Sequence, residues 1–174
     1  MSVAETLQFC RSVVKNPRVF VCNGDQWSPK AKGYTVVNEQ IPPFTEEELT
    51  VGVDKGKLIA LNLSENLGYI EFDPCETLGS IAAAEKWVAE NMWRLERLQT
   101  TVVKSPRSGL HIWFVVSSGI LDFSVLTRWL EVVEESGIPP DVLHFRSVNA
   151  SDYAILPPSR GYSWITRSAI KRFA

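Results

Sequence analysis

The chain has 174 residues, 45% hydrophobic and 22% charged. That is ordinary globular composition, long enough to bury a core, and it excludes collagen-like, low-complexity and bulk-disordered classes. Eighteen Lys and Arg against twenty Asp and Glu give a net charge of −2, which argues against a strongly basic nucleic-acid binder but leaves room for a local basic patch.

Val3, Leu7, Cys10, Val13 and Val14 recur at helical spacing over residues 3–15, and Asn16-Pro17 stops the pattern. Residues 18–22 form a β-branched and aromatic run closed by Asn23-Gly24-Asp25, which reads as a strand and turn. Residues 26–44, with Pro29, Gly33, Pro42 and Pro43, read as irregular. Thr45 before Glu46-Glu47-Glu48 has the spacing of a capping box, so a helix is expected over about 46–54. Residues 58–63 and 68–73 read as two strands separated by a turn at Ser64-Glu65-Asn66. A long helix over 78–98 is expected, with Ile81, Ala84, Trp87, Val88, Met92 and Leu95 on one face. Strands at 100–104 and 110–117 flank the tight segment Ser105-Pro106-Arg107-Ser108-Gly109. Residues 122–136 predict a helix with Leu126, Trp129, Leu130 and Val133 turned inward. Short strands follow at 142–146 and 153–156. Then come the loop Pro157-Pro158-Ser159-Arg160-Gly161, one more strand at 162–165 and the start of a helix at 168–173. The pattern predicts one α+β domain over 1–174, with a mixed, mainly antiparallel sheet and flanking helices. Within it, 57–165 is the motif-bearing core and 1–56 a helical and irregular N-terminal module.

Three cysteines, Cys10, Cys22 and Cys75, form no close-spaced pair. Neither a disulfide framework nor a zinc site is expected, and a reducing cytoplasmic setting is. No apolar run approaches the ~18 residues of a membrane span. Glu5, Gln8 and Arg11 interrupt the N-terminus, so no secretory signal or membrane partner is expected. Trp87, Trp93 and Trp129 fall in predicted helices and suit a core or a partner surface. Trp27, near Lys30 and Lys32, suits a packed loop anchor or the lining of a channel.

Three constellations carry possible chemistry. The first is Tyr69-Ile70-Glu71-Phe72-Asp73-Pro74. Residues two apart on a strand share a face, so Glu71 and Asp73 are expected to point together, and paired carboxylates repel unless a cation such as Mg²⁺ or Mn²⁺ lies between them. A solvated acidic strand face explains the same pattern. The second runs from Lys104 through Arg107, Ser108 and Gly109 to His111. A turn between strands exposes backbone N–H groups, and Lys104, Arg107 and Ser108 add charge and a hydroxyl suited to a triphosphate. An ordinary β-turn with an exposed His is the plain alternative. The third joins His144 and Arg146 to the loop holding Ser159 and Arg160. Tyr162 and Trp164 beyond it suit either base stacking or sheet packing.

The order of these features resembles the Prim-Pol domains of the archaeo-eukaryotic primase superfamily. The matching stretches are IEFDP at 70–74, SPRSGLHIWF at 105–114 and HFRSVNASDYAILPPSRGYSWI at 144–165. The resemblance covers about residues 58–165 and implies an RRM-like catalytic core. It also implies metal-dependent nucleotidyl transfer on a DNA template or primer, from dNTP or NTP, in a plasmid, viral or mobile-element replication protein that works with a helicase or other replication protein. On this resemblance Glu71 and Asp73 become ligands of a two-metal Mn²⁺ or Mg²⁺ site. Ser108, Gly109, His111, Lys104, Arg107, Ser159 and Arg160 become the nucleotide site. The third acidic position of the family is matched by His144, and imidazole suits Mn²⁺ better than Mg²⁺. Three readings stay open. His144 is a working metal ligand, or Asp141 or Asp152 replaces the missing carboxylate, or the module is catalytically degenerate and only binds nucleotide, DNA or a replication partner. A metal-dependent phosphoester hydrolase is a further alternative.

Overall fold

A computed structural model describes residues 2–13, 17–22, 44–62, 67–117, 120–121, 123–137, 143–146 and 153–167. The elements, in chain order, are α1 (Val3–Val13), β1 (Val19–Cys22), α2 (Glu46–Asp54), β2 (Leu58–Asn62), β3 (Leu67–Phe72), α3 (Pro74–Leu78), α4 (Ile81–Glu90) and α5 (Met92–Arg97). They continue with β4 (Thr101–Lys104), β5 (Leu110–Ser117), β6 (Ile120–Leu121), α6 (Phe123–Ser136), β7 (Leu143–Arg146), β8 (Tyr153–Leu156) and β9 (Ser163–Arg167). The architecture is mixed α+β. Trp27, Lys30, Lys32, Asp141, Asp152, the turn at 64–66 and the expected helix at 168–173 lie outside the described residues, and for His144 only the strand position is described.

The chain divides into two compact units, one from 1–65 with 148–163 and one from 66–147 with 164–174. Both therefore share the 57–165 stretch. In the first unit β2 lies between β1 and β8, antiparallel to both. Leu58, Ala60 and Ile155 form a buried cluster against which Tyr162 packs. Ile59 and Leu61, on the other face of β2, are buried as well. The capping box at Thr45 forms as its spacing predicts. Thr45 Oγ1 accepts from the Glu48 N–H at 3.3 Å and Glu48 Oε2 accepts from the Thr45 N–H at 2.7 Å, a pairing that stabilises a helix start by ~1 kcal/mol. Helix α1 buries Val3, Thr6, Leu7 and Cys10.

In the second unit the strand order is β7-β3-β5-β4-β9, with β6 paired to β5. Strand β3 runs antiparallel to β5 on one side and to β7 on the other. The Phe72 ring meets Trp87 of α4 edge-on at 5.5 Å and Trp129 of α6 at 5.0 Å, and each such aromatic pair adds ~0.5–1.5 kcal/mol beyond its buried area. Helices α5 and α6 are tied by Glu135, whose Oε2 lies 3.2 Å from Arg94 Nε and 3.4 Å from Arg97 Nη1. Arg128 Nε donates to the Leu98 carbonyl at 3.0 Å. Trp87 and Trp129 are buried, whereas Trp93 is 51% exposed, with the Arg94 guanidinium 4.4 Å from its ring centre.

Three expectations change. Leu130, expected to turn inward, is 42% exposed, and Val125 and Val132 of α6 are buried. The strands at 58–62 and 67–72, though adjacent in sequence, belong to different sheets, so the described strands fall into two sheets rather than one. Both edges of β2 are filled by β1 and β8, and both edges of β3 by β5 and β7. The long helix expected over 78–98 is broken into pieces. Gly79, at φ +79°, ends α3 and donates its N–H to the Cys75 carbonyl, a left-handed conformation that costs glycine nothing. Ser80 then caps α4 by accepting from the Ala83 N–H at 3.1 Å. Asn91 interrupts the next turn, where its Nδ2 donates to the Trp87 carbonyl at 2.8 Å and its Oδ1 accepts from Arg94 Nη1 at 2.6 Å. Among the described residues no helix is long and apolar enough to cross a membrane.

Candidate functional site

Strand β3 places Glu71 directly opposite His111 of β5 and directly opposite His144 of β7. Residues opposite one another in an antiparallel pair have Cβ atoms ~4.5–5.5 Å apart. The register therefore makes a row of positions, His111–Glu71–His144, across three strands. Glu71 Oε1 stands 3.9 Å from His111 Nε2, with the two side chains 17% and 9% exposed. That distance exceeds a hydrogen bond. It falls within the ~4.2 Å that two donors each ~2.1 Å from one cation span at most. Tyr69 stacks on the His111 ring, with centroids 4.6 Å apart and planes 27° apart, and the Trp113 ring centroid lies 5.6 Å from that of Tyr69. Sequence reasoning did not single out Tyr69 or Trp113. The signal was there in the two-residue spacing, 69 before 71 and 113 after 111, on two strands.

Asp73 stands differently from what the strand pattern predicts. Strand β3 ends at Phe72, and Asp73 is the N-cap of α3, with Oδ1 accepting from the Cys75 N–H at 3.1 Å and Pro74 opening the helix. One carboxylate oxygen is thus engaged by the backbone. Among the described residues no group of three or more His, Cys, Asp and Glu side chains is arranged to hold a metal ion. Glu71 and His111 offer one oxygen and one nitrogen, a donor pair that suits Mn²⁺ better than Mg²⁺.

The β4–β5 turn is closed by the Ser105 N–H on the Gly109 carbonyl at 2.8 Å and the Ser108 N–H on the Ser105 carbonyl at 3.0 Å. Ser108 sits at φ +61°, a conformation that costs a side-chain-bearing residue ~1–2 kcal/mol. It is 1% exposed, and its hydroxyl has no hydrogen-bond partner among the described residues. Leaving such a group unsatisfied costs ~1–3 kcal/mol. The indole N–H groups of Trp87 and Trp129 are likewise unsatisfied, but they lie in the core against Phe72. Ser108 instead lies in a turn carrying two cationic side chains. A Cβ at Gly109 would come within 2.8 Å of Ser105 Oγ, so a larger residue fits there only if that buried hydroxyl turns away. Lys104 is half-buried at the end of β4, and Arg107 is exposed with Nη2 3.7 Å from Cys75 Sγ at the start of α3. Arg107 thereby joins the turn to the Asp73 cap.

Ser159 and Arg160 belong to the first unit. Ser159 is buried and its Oγ accepts from the Ile59 N–H at 2.7 Å, while Arg160 is exposed. The Ser159 hydroxyl is thus used to tie the Pro-Pro loop to β2. Tyr162 packs against the Leu58 cluster, as the sheet-packing reading expects. No family model matches the chain, and neither a curated protein nor a solved structure does.

Proposed function

We propose that the chain is a primase-polymerase-like nucleotidyl-transfer domain whose β3–β5–β7 face and β4–β5 turn bind a divalent cation and a nucleoside triphosphate. The observation that carries this reading is the His111–Glu71–His144 row beside a turn with a buried, unsatisfied Ser108 hydroxyl. In the reaction a primer 3′-hydroxyl loses its proton to solvent and attacks the α-phosphorus, a new P–O bond forms, and the bond to pyrophosphate breaks. Glu71 and His111, with His144 in register, would hold the cation, which would supply charge to offset the triphosphate and to polarise the reacting oxygens. Ser108 donates a hydrogen bond to a phosphate oxygen, and Lys104 and Arg107 offset the remaining charge.

A second reading, a module that binds nucleotide or DNA without chemistry, is favoured by the Asp73 carboxylate. Its Oδ1 already accepts the Cys75 N–H as a helix cap, which leaves fewer carboxylate oxygens for a two-metal site. Primer extension separates the two. Folded protein is incubated with primed DNA, dNTP or NTP, and Mn²⁺ or Mg²⁺, beside Glu71→Gln. Incorporation that requires Mn²⁺ and Glu71 supports the enzyme. No incorporation, with nucleotide binding that survives Glu71→Gln, supports the binding module. Neither incorporation nor nucleotide binding refutes both.

A further inference from the structure

Tyr69 lies two residues before Glu71 on β3, directly opposite Trp113 and Arg146, so His111 is its diagonal neighbour. Diagonal neighbours come within reach of each other when one is aromatic. The phenol and imidazole rings stack at 4.6 Å and 27°, and both residues are buried. The stack bears on an otherwise loose torsion. The χ2 angle of histidine is broad and roughly two-fold, so strand geometry alone does not fix the ring plane. Turning the imidazole a quarter-turn would drive its edge toward the phenol ring, whose centroid lies 5.6 Å from that of Trp113. The orientation that keeps Nε2 facing Glu71 Oε1 at 3.9 Å is the stacked one.

We infer that Tyr69 is a positioning residue that sets the ring plane of His111 and so the affinity of the Glu71–His111 pair for a nitrogen-accepting divalent cation. The consequence for metal rests on the function proposed above, whereas the ring orientation does not. Partners that orient a metal-binding histidine usually change affinity 10–100-fold when removed, and here a stacked ring takes that part.

The chain has two histidines, so the ring protons of His111 are assigned by NMR with His144→Gln as the reference. In wild type and in Tyr69→Phe, ring current shifts the His111 protons upfield of those of His144. In Tyr69→Leu that shift is lost. Titration of the whole chain with Mn²⁺ alone gives a Kd about tenfold weaker in Tyr69→Leu and within about twofold of wild type in Tyr69→Phe. A merely structural role would lower stability in Tyr69→Leu and leave the Mn²⁺ affinity of the folded molecules unchanged, and that result overturns the inference. Unshifted His111 protons in wild type overturn it too, and this measurement stands even if Tyr69→Leu fails to fold. If wild type binds no Mn²⁺ while the shift is present, the metal reading of the site fails and the orientation of His111 by Tyr69 is upheld.

Discussion

Replacing Ser159 with alanine separates a ligand role for the Pro-Pro-Ser loop from a structural one. Ser159 Oγ accepts from the Ile59 N–H at 2.7 Å and lies 3.4 Å from the Ile59 carbonyl. Both residues are 1% exposed, so water does not replace the hydroxyl. The loop's own backbone bonds, Ser159 N–H to Leu156 at 3.1 Å and Tyr162 N–H to Ser159 at 2.9 Å, survive the change. The loss is therefore one buried amide left unsatisfied in the central strand of its sheet, worth ~1–3 kcal/mol. Taking ~2 kcal/mol for a chain of this size, Tm falls by ~4–8 °C. Thr6 Oγ1 donates to the Pro157 carbonyl of the same loop, so Thr6→Val combined with Ser159→Ala departs from additivity, as changes coupled through one loop backbone do. Urea unfolding of the four proteins measures all of this. Unchanged stability together with weakened nucleotide binding would falsify the structural assignment and return Ser159 to the ligand site.

The two carboxylates of the EFD segment divide by role. Asp73→Ala removes the α3 cap and lowers stability by ~1 kcal/mol. Glu71→Gln keeps the shape of the side chain, and its main effect is on Mn²⁺ binding, weakened more than tenfold. Calorimetry and metal titration of both variants check this, and equal effects on both readouts refute it. Gly109→Ala places a Cβ 2.8 Å from Ser105 Oγ. It is expected to destabilise by ~1–3 kcal/mol through overpacking, and urea midpoints unchanged from wild type count against the tight turn. Burial pushes the Cys10 thiol from 9.0 up to about 12. Because the folded value is raised, this contribution to stability is complete below the unfolded pKa and is lost between pH 9 and 12. At about pH 10 the loss is ~1.4 kcal/mol. It is read as the difference between wild-type and Cys10→Ala denaturation profiles, and a difference that does not vary with pH refutes it.

What the sequence makes legible is local. The Thr45 box, the helix after it, the β4–β5 turn and the positions of nearly every strand depend on neighbours within a few residues, and they stand where the pattern puts them. The assignment of β2 and β3 to separate sheets depends on partners far along the chain, which alternation cannot name. The role of Asp73 turned on where one strand stops. E-x-D spacing predicts a shared face, but Pro74 starts a helix and converts the second acid into a cap. The same Gly79-Ser80 pair that breaks the helix was readable as a stop and a cap, and the apolar stripe from Ile81 to Leu95 obscured it. Glu71, His111 and His144 were each identifiable as candidates. Their alignment in one row follows from two non-local registers.

Charge on the proposed site leads to one further consequence. Glu71 stands opposite His111, two residues past the turn bearing Lys104, Arg107 and Ser108. A triphosphate arriving without a cation gains the two basic side chains but meets the Glu71 carboxylate. A cation arriving alone finds Glu71, His111 and the His144 position, and leaves its remaining sites to water. Bound together, each supplies what the other lacks, since phosphate oxygens complete the cation's shell and the cation screens Glu71 from the phosphates. Binding must then be mutually cooperative, and reciprocity requires equal factors: Mn²⁺ lowers the Kd of a nucleoside triphosphate by the same ratio as the nucleotide lowers that of Mn²⁺. Calorimetric titrations in both orders measure the two ratios once the affinity of free Mn²⁺ for free nucleotide is subtracted. Coupling of ~1–3 kcal/mol, or about 5–150-fold, falls to unity in Glu71→Gln if Glu71 is where cation and triphosphate meet. Coupling that persists in that variant places the cation elsewhere on the nucleotide and removes Glu71 from the site.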